Sequence, residues 1–259
     1  MPSTAKTVLI TGASSGIGEA CAHAFAKAGS RLIISARNET KLKELQATLQ
    51  DRYQAEVLVL ALDVRSRSAV QKAMTELPRQ WKDIDILINS AGLAVGIEKI
   101  QDANLDDWER MIDTNVKGLL YVTHFVLQTM LQRNTGHIIN IGSISGYAVY
   151  SGGVVYCATK FAVRAISEGL KMDVHGTPIR VTEIDPGMVE TEFSVVRFKG
   201  DEERAESVYK DCVPLEAHDI ADAILYAVNA PPHVDVRQLT VMPTCQTAMG
   251  MVHRVIPTK

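Results

Sequence analysis

Thr7-Val-Leu-Ile-Thr-Gly-Ala-Ser-Ser-Gly-Ile-Gly18 decides how this chain is read. Val8 to Ile10 form the short apolar run of a buried strand. Gly12, Gly16 and Gly18 follow, and the helical segment Glu19 to Ala28 comes next. Strand, glycine turn and helix in that order are the context in which a glycine fingerprint binds a dinucleotide. Gly12 allows a tight turn, Gly16 lets the backbone approach a phosphate, and Gly18 lets the helix pack on the strand. The helix N-terminus then faces the pyrophosphate. The spacing is G-x-x-x-G-x-G rather than the commoner G-x-G-x-x-G.

The second strand tests the cofactor. Arg31-Leu-Ile-Ile-Ser-Ala-Arg37 lacks the acidic residue that takes the adenosine ribose hydroxyls in NAD-binding folds. Ala36 leaves room, and Arg37 offers a planar cation suited to a 2'-phosphate, which points to NADP(H). A third apolar run, Val57 to Leu62, leads into Asp63-Val64, where a carboxylate would reach the adenine amino group. A fourth, Ile84 to Ile88, leads into Asn89-Ser90-Ala91-Gly92, small residues that let a nucleotide lie against the backbone.

Apolar runs and helical patterns alternate through all 259 residues. Strands are expected at 7–11, 31–36, 56–61, 84–89, 137–142, 180–184 and 238–242. Helices are expected at 16–28, 39–52, 67–77, 105–115, 118–132, 154–172 and 217–228. Repeated right-handed βαβ units give an α/β fold: a single-domain, Rossmann-like, doubly wound parallel sheet with helices on both faces, spanning 1–259. The charged, irregular stretch 188–214 follows a strand end, where open α/β sheets bind ligands. It is read as a substrate lid, partly helical around Glu202 to Tyr209.

Composition narrows the function classes. The net charge is −3 and 46% of residues are hydrophobic, with no basic patch to suggest nucleic acid. No run of about 18 apolar residues offers a membrane span. The first residues lead straight into a strand, leaving no room for a secretory signal. Cys21, Cys157, Cys212 and Cys245 show no C-x-x-C spacing and read as free thiols in a reducing cytoplasm. The seven histidines are scattered, so no metal is expected.

Ser143, Tyr156 and Lys160 carry the chemistry. Tyr156 and Lys160 are four apart and share one helix face. An ammonium beside a phenol, whose reference pKa is about 10, favours the phenolate and makes it a proton carrier near neutrality. Ser143 ends the run Ile138-Ile139-Asn140-Ile141, where its hydroxyl can hold a substrate oxygen facing the tyrosine. Together they move a proton on and off an alcohol oxygen, half of a carbonyl/alcohol redox reaction. A Tyr-x-x-x-Lys pair also arises by chance. The glycine turn at the other end of the chain gives this one its weight.

With these residues placed, the chain from about Lys6 to Met242 resembles the short-chain dehydrogenase/reductase family of the roughly 250-residue type. The resemblance rests on Thr11-Gly12-x-x-x-Gly16-x-Gly18, Asp63-Val64, Asn89-x-Ala91-Gly92, Asn115-x-x-Gly118, Ser143, Tyr156-x-x-x-Lys160 and Pro186-Gly187-x-x-x-Thr191. The family's usual Asn-Asn-Ala-Gly is here Asn89-Ser90-Ala91-Gly92, which removes one amide from the cofactor wall. Longer stretches are similar to a narrower branch, the NADP-dependent 3-hydroxy acid (serine or allo-threonine) dehydrogenases. These are 108–115, 136–142, Tyr150-Ser-Gly-Gly153 and, in the expected lid, Thr191 to Asp201.

The resemblance implies a hydride transfer between nicotinamide and a small 3-hydroxy acid or its semialdehyde or keto form. Serine, allo-threonine, 3-hydroxypropionate and 3-hydroxyisobutyrate are the types implied. Tyr156 would be the general acid/base, and Lys160 would lower its pKa and hold the nicotinamide ribose. Ser143 would orient the substrate oxygen, and Asn115 would hold a water linking Lys160 to solvent. Ser14, Ser15 and Ile17 in the glycine turn, and Pro186, Gly187, Val189 and Thr191 after the sixth strand, would join the cofactor site, Thr191 at the nicotinamide carboxamide. A substrate carboxylate needs a cation, and Arg197 and Lys199 in the lid are the candidates. Alternatives are an NADPH-dependent reductase of bulkier or neutral carbonyls (sugar, steroid or acyl type), or a non-catalytic nucleotide-sensing protein. A homotetramer is implied, with helices 105–132 and 154–172 as interface candidates. The apolar tail after Met242 would cover a neighbouring subunit or its own core.

Overall fold

The computed structural model describes residues 5–255. Residues 1–4, on which the reading of the N-terminus rests, and 256–259, which include the apolar Ile256 of the tail, lie outside the described residues.

In chain order the elements are β1 (Thr7–Thr11), α1 (Gly16–Lys27), β2 (Arg31–Ala36), α2 (Glu39–Tyr53), β3 (Val57–Ala61), α3 (Arg67–Thr75), β4 (Ile86–Asn89), α4 (Leu105–Ile112), α5 (Leu119–Arg133), β5 (His137–Ile141), α6 (Val154–Asp173), β6 (Arg180–Pro186), β7 (Val189–Glu190), α7 (Glu192–Arg197), α8 (Glu202–Ser207), β8 (Leu215–Glu216), α9 (Ala217–Asn229), β9 (Gln238–Val241), β10 (Gln246–Ala248) and β11 (Met251–Val252). A π turn, Asp113–Gly118, joins α4 to α5, and 3-10 turns occupy Arg79–Trp81 and Ile144–Gly146.

Seven strands form one parallel sheet in the order β3-β2-β1-β4-β5-β6-β9. Alternate side chains of a strand face opposite sides. Leu9, Ile33, Leu87 and Ile138 therefore meet Val122, Val126 and Met130 of α5 on one face. Val8, Ile10, Ile34 and Ile88 meet Phe25 of α1 and Ile220 and Ile224 of α9 on the other. Strands buried at every position, as β1, β4 and β5 are, suit a sheet covered on both sides, and each Leu or Ile in them contributes about 1.5–3 kcal/mol by burial. The strand order reverses between β1 and β4, so a crevice opens at their carboxyl ends. Among the described residues no helix is long and apolar enough to cross a membrane.

Three regions differ from expectation. Residues 105–133 do not break at 115–118. The Asn115 side chain is drawn into bonds with the Leu93 backbone, and the helix widens into a π turn without ending. The stretch 188–214 is more ordered than an irregular loop. α8 lies within the helical part expected there, but α7 was not expected, and β7 pairs with β8 at its base. The tail lies against residues 208–211 of its own chain, and its apolar Met251 and Val255 stay exposed and cover no core. Val255 N–H donates to the Asp211 carbonyl (2.9 Å) and Arg254 to the carbonyls of Lys210 and Val208.

Candidate active site

The glycine turn lies at the carboxyl end of β1 with the geometry a dinucleotide needs. Gly12 adopts φ +68°, a left-handed conformation that side chains resist, and a Cβ there would sit 2.8 Å from the backbone of Ala91. A Cβ on Gly18 would overlap the Gly12 carbonyl, so α1 packs on the turn only with glycine at this point. Ser15 precedes α1 without capping it by its side chain, so no hydroxyl closes off the helix N-terminus. Thr11 orders the facing wall, its Oγ1 accepting from the N–H groups of Ser90 and Ala91, both at 3.1 Å. Ser14, Gly16 and Ile17 complete the turn, and Thr191, capping α7, lies across the groove against Gly16.

Arg37 is exposed just beyond β2, next to Asn38, which caps α2. The Asp63 carboxylate is held by Arg65 through Nε (3.0 Å) and Nη2 (2.6 Å), which keeps it below the usual carboxylate range. Val64 is buried beside it. Asn89 does not face the groove. Its carboxamide donates to Thr123 (2.9 Å) and Asn140 (2.9 Å) inside the protein, so only its backbone is available to a nucleotide. Gly92 borders Asn115 and Lys160. Pro186 ends β6, and the Gly187 N–H donates to Val241 (2.8 Å). Val189 is half-buried against the α1 side of the core.

Ser143, Tyr156, Lys160 and Asn115 converge and are all buried. The Ser143 oxygen accepts from Ser145 N–H (3.1 Å), and its hydroxyl favours ionisation of the Tyr156 phenol. Burial nevertheless pushes that phenol well above its ordinary value, and Ser143 opposes this only in part. Burial brings Lys160 down to about 8, against the pull of Asp185 and Glu183. Its ammonium donates to the Ile141 carbonyl (2.8 Å) and sits 5.9 Å from the Tyr156 ring centroid. The lowering of the phenol expected from its lysine neighbour is thus outweighed by desolvation in the protein alone. Asn115 donates to Leu93 O (2.8 Å) and Thr159 Oγ1 (3.0 Å), tying α6 to the 92–104 loop.

The two lid cations part company. Arg197 stands over three aromatic rings, with Cζ 5.3 Å from the Tyr156 centroid, 5.2 Å from Tyr150 and 5.7 Å from Phe193. It donates to the Tyr150 hydroxyl, its Nε is buried without a partner, and it pairs with no carboxylate among the described residues. Burial disfavours its charge. Lys199 instead pairs with Asp107 (2.8 Å) and Glu98 (3.6 Å), outside the aromatic cluster.

Tyr150, which lies against Arg197, carries no sequence signal beyond its place in the 150–153 stretch. Gln246, whose Oε1 accepts from Met188 N–H (2.8 Å), gave no sequence signal. Glu183 and Asp185 carry one, two acids at alternate positions of the sixth strand.

A family model described as short chain dehydrogenase matches residues 6–202. The NADP-dependent 3-hydroxy acid dehydrogenase YdfG of Salmonella typhi is 47% identical over 249 residues, 95% of this chain and 99% of its own length. Sulfoacetaldehyde reductase 2 of Chromohalobacter salexigens is 46% identical, over 92% of this chain and 94% of its own. A closed form of serine dehydrogenase complexed with NADP+ superposes with a TM-score of 0.90 at 46% identity, covering 96% of this chain and all of that one. A family match over most of the chain, joined to likeness along nearly the full length of these proteins, makes this chain a member of the short-chain dehydrogenase family.

Proposed function

We propose that this protein is an NADP-dependent oxidoreductase interconverting a small 3-hydroxy acid and its semialdehyde or keto form. The observation that carries the substrate class is Arg197. It is a largely buried guanidinium beside the Tyr156 ring with no anion of its own among the described residues. Such a group is costly unless an anion joins it, and a bidentate carboxylate fits the guanidinium fork. Lys199, already paired with two acids, is left the role of tying the lid to α4.

The fit to NADP(H) rests on the uncapped start of α1, the close approaches at Gly12 and Gly18, and Arg37 beyond β2. Gly12, Ser14 to Gly18, the backbone of Asn89 to Gly92, and Pro186 to Thr191 would hold it, with Arg37 at the 2'-phosphate. The cofactor, when bound, accepts or returns a hydride. Tyr156 takes the hydroxyl proton in oxidation and returns it in reduction. Ser143, its oxygen already accepting from Ser145, turns its own proton toward the substrate oxygen and steadies the charge developing there. Lys160 adds a positive charge beside the phenol, and Asn115 holds the water that links it to solvent. Phe193 and Tyr150 exclude water around Arg197.

A sulfonate in place of the carboxylate is the second reading, since the same guanidinium accepts either anion and one relative is a sulfoacetaldehyde reductase. The test is NADPH absorbance with purified protein, NADP+ against NAD+, on L-serine, L-allo-threonine, 3-hydroxypropionate, 3-hydroxyisobutyrate, 2-hydroxyethanesulfonate and a neutral secondary alcohol. Activity on the carboxylates alone supports the first reading, and preference for the sulfonate supports the second. Activity on the alcohol alone removes both. A homotetramer in the cytoplasm completes the proposal. It is supported by Ile112, Leu120 and Leu131, and by Val154, Phe161 and Met172, left exposed on the α4–α5 and α6 helices, and by four free cysteines. Sedimentation at the 28.3 kDa mass of one chain would remove the tetramer.

A further inference from the structure

Glu183 and Asp185 stand on β6 at 2% and 0% exposure, and the mechanism above uses neither. Burying a carboxylate costs several kcal/mol unless donors meet it. Three donors meet Asp185: the Ser143 N–H at Oδ1 (3.0 Å), and the Tyr147 hydroxyl (2.7 Å) and Gln238 Nε2 (2.9 Å) at Oδ2. Glu183 Oε1 has no partner among the described residues. The backbone before Ser143 lies directly on both acids. A Cβ on Gly142 would fall 2.6 Å from Glu183 Oε1 and would overlap Asp185 Oδ1.

We infer that Asp185 is a positioning residue for proton transfer: its carboxylate anchors the Ser143 backbone and supplies the negative charge that keeps the buried Lys160 ammonium charged. This rests on the reading of Ser143, Tyr156 and Lys160 as the proton-transfer group. The charged and titratable groups facing Asp185 are Glu183 on its own strand, Lys160 and Arg164 from α6, and Tyr147 from the 3-10 turn. β9 contributes only the neutral Gln238. Arg164 stacks 4.4 Å over the Tyr147 ring and so holds the phenol that donates to Asp185. Burial pushes both carboxyls up, and the pair shares its charge: three donors hold the charge on Asp185, whereas Glu183 Oε1 has no partner among the described residues, so Glu183 takes the proton first.

Asp185→Asn keeps the shape and removes that charge. The acid limb of the kcat–pH profile for NADP+-dependent oxidation should move up by about one unit, because Lys160 loses the anion that keeps it charged and so favours the Tyr156 phenolate less. KM should change less than kcat. Tyr147→Phe takes a donor from the carboxylate, leaves its charge less compensated toward Lys160, and should move the limb downward. It also carries the test if Asp185→Asn does not fold. Glu183→Gln should leave the limb unmoved below about pH 8. An unmoved limb in the Asp185 or Tyr147 variant, with activity lowered equally at every pH, would reduce Asp185 to a structural role. A shift in Glu183→Gln as large as in Asp185→Asn would overturn the assignment of the charge to Asp185. Phenolate ultraviolet absorbance of the NADP+ complex, taken against a Tyr156→Phe background, reads the same shift without substrate. The shift there with no turnover on any substrate would sink the proposed function alone. Turnover with no shift would sink this inference alone.

Discussion

Tyr156 is asked to carry a proton from a position where burial opposes its ionisation. The phenolate thus depends on charges brought close to it, and the hydroxyl cannot be replaced by its neighbours. Tyr156→Phe should lower kcat by about 10²–10⁴-fold while NADP+ binding, followed by protein fluorescence, is unchanged. Retained turnover would end the assignment. Arg197→Ala removes a charge-assisted bond of about 1.5–3 kcal/mol, so KM for a carboxylate or sulfonate substrate should rise roughly 10- to 150-fold. Neutral ketones should be little affected, and an equal effect on both would argue against an anion site. Arg37→Ala should weaken NADP+ by about 10- to 100-fold and leave NAD+ nearly unchanged. A parallel loss for both cofactors would place Arg37 elsewhere. Tyr156, Arg197 and Arg37 were all legible as residue types at meaningful positions. That Asn89 turns inward and Lys199 pairs with Asp107 and Glu98 was not, because partner choice depends on residues distant in the chain.

At the scale of elements, the β1–turn–α1 unit is the least tolerant part of the molecule. Gly18→Ala must displace either the turn or the helix, a strain of about 1–3 kcal/mol. A melting temperature lowered by several degrees, with the stabilisation by NADP+ lost, is the expected outcome of thermal denaturation with and without cofactor. Normal cofactor stabilisation would show the turn to be more plastic than its geometry indicates. Local patterns placed β1, β2 and α2 to within a residue or so, because strand runs and caps such as Asn38 are local signals. The π turn and α7 escaped such reading. The first is held by Asn115 bonding to the Leu93 backbone, and α7 is a single short helix stabilised by Phe193 against Tyr156 and by Ser194 bonding Tyr209.

The whole molecule carries a titration that no single element explains. His137 is buried between sheet and helices, bonded through Nε2 to Thr182 (2.8 Å). Burial, with Arg180, Lys6 and Lys171 nearby, lowers it from 6.5 to about 3. The unfolded chain therefore binds a proton that the folded chain refuses between these values. Stability from this group is intact above about pH 6.5 and is lost as the pH falls toward 3. The slope for one proton is about 1.4 kcal/mol per pH unit. Denaturant unfolding of wild type and His137→Gln across that window should differ by this slope, with the variant less sensitive to acid. Parallel curves would show that His137 takes up its proton in the folded state.

The parallel α/β sheet, the glycine turn, the choice of NADP(H) over NAD(H), and the Ser143–Tyr156–Lys160 group are legible in the amino-acid order. Each rests on short-range spacing or on a residue at the end of an apolar run. Tertiary structure alone decided which cation faces the tyrosine, that the tail lies against its own chain, and that Asp185 lies under Ser143. Those outcomes depend on desolvation and on partners tens of residues apart. No local pattern encodes them, since the same arginine, lysine or aspartate takes its role from what the fold brings against it.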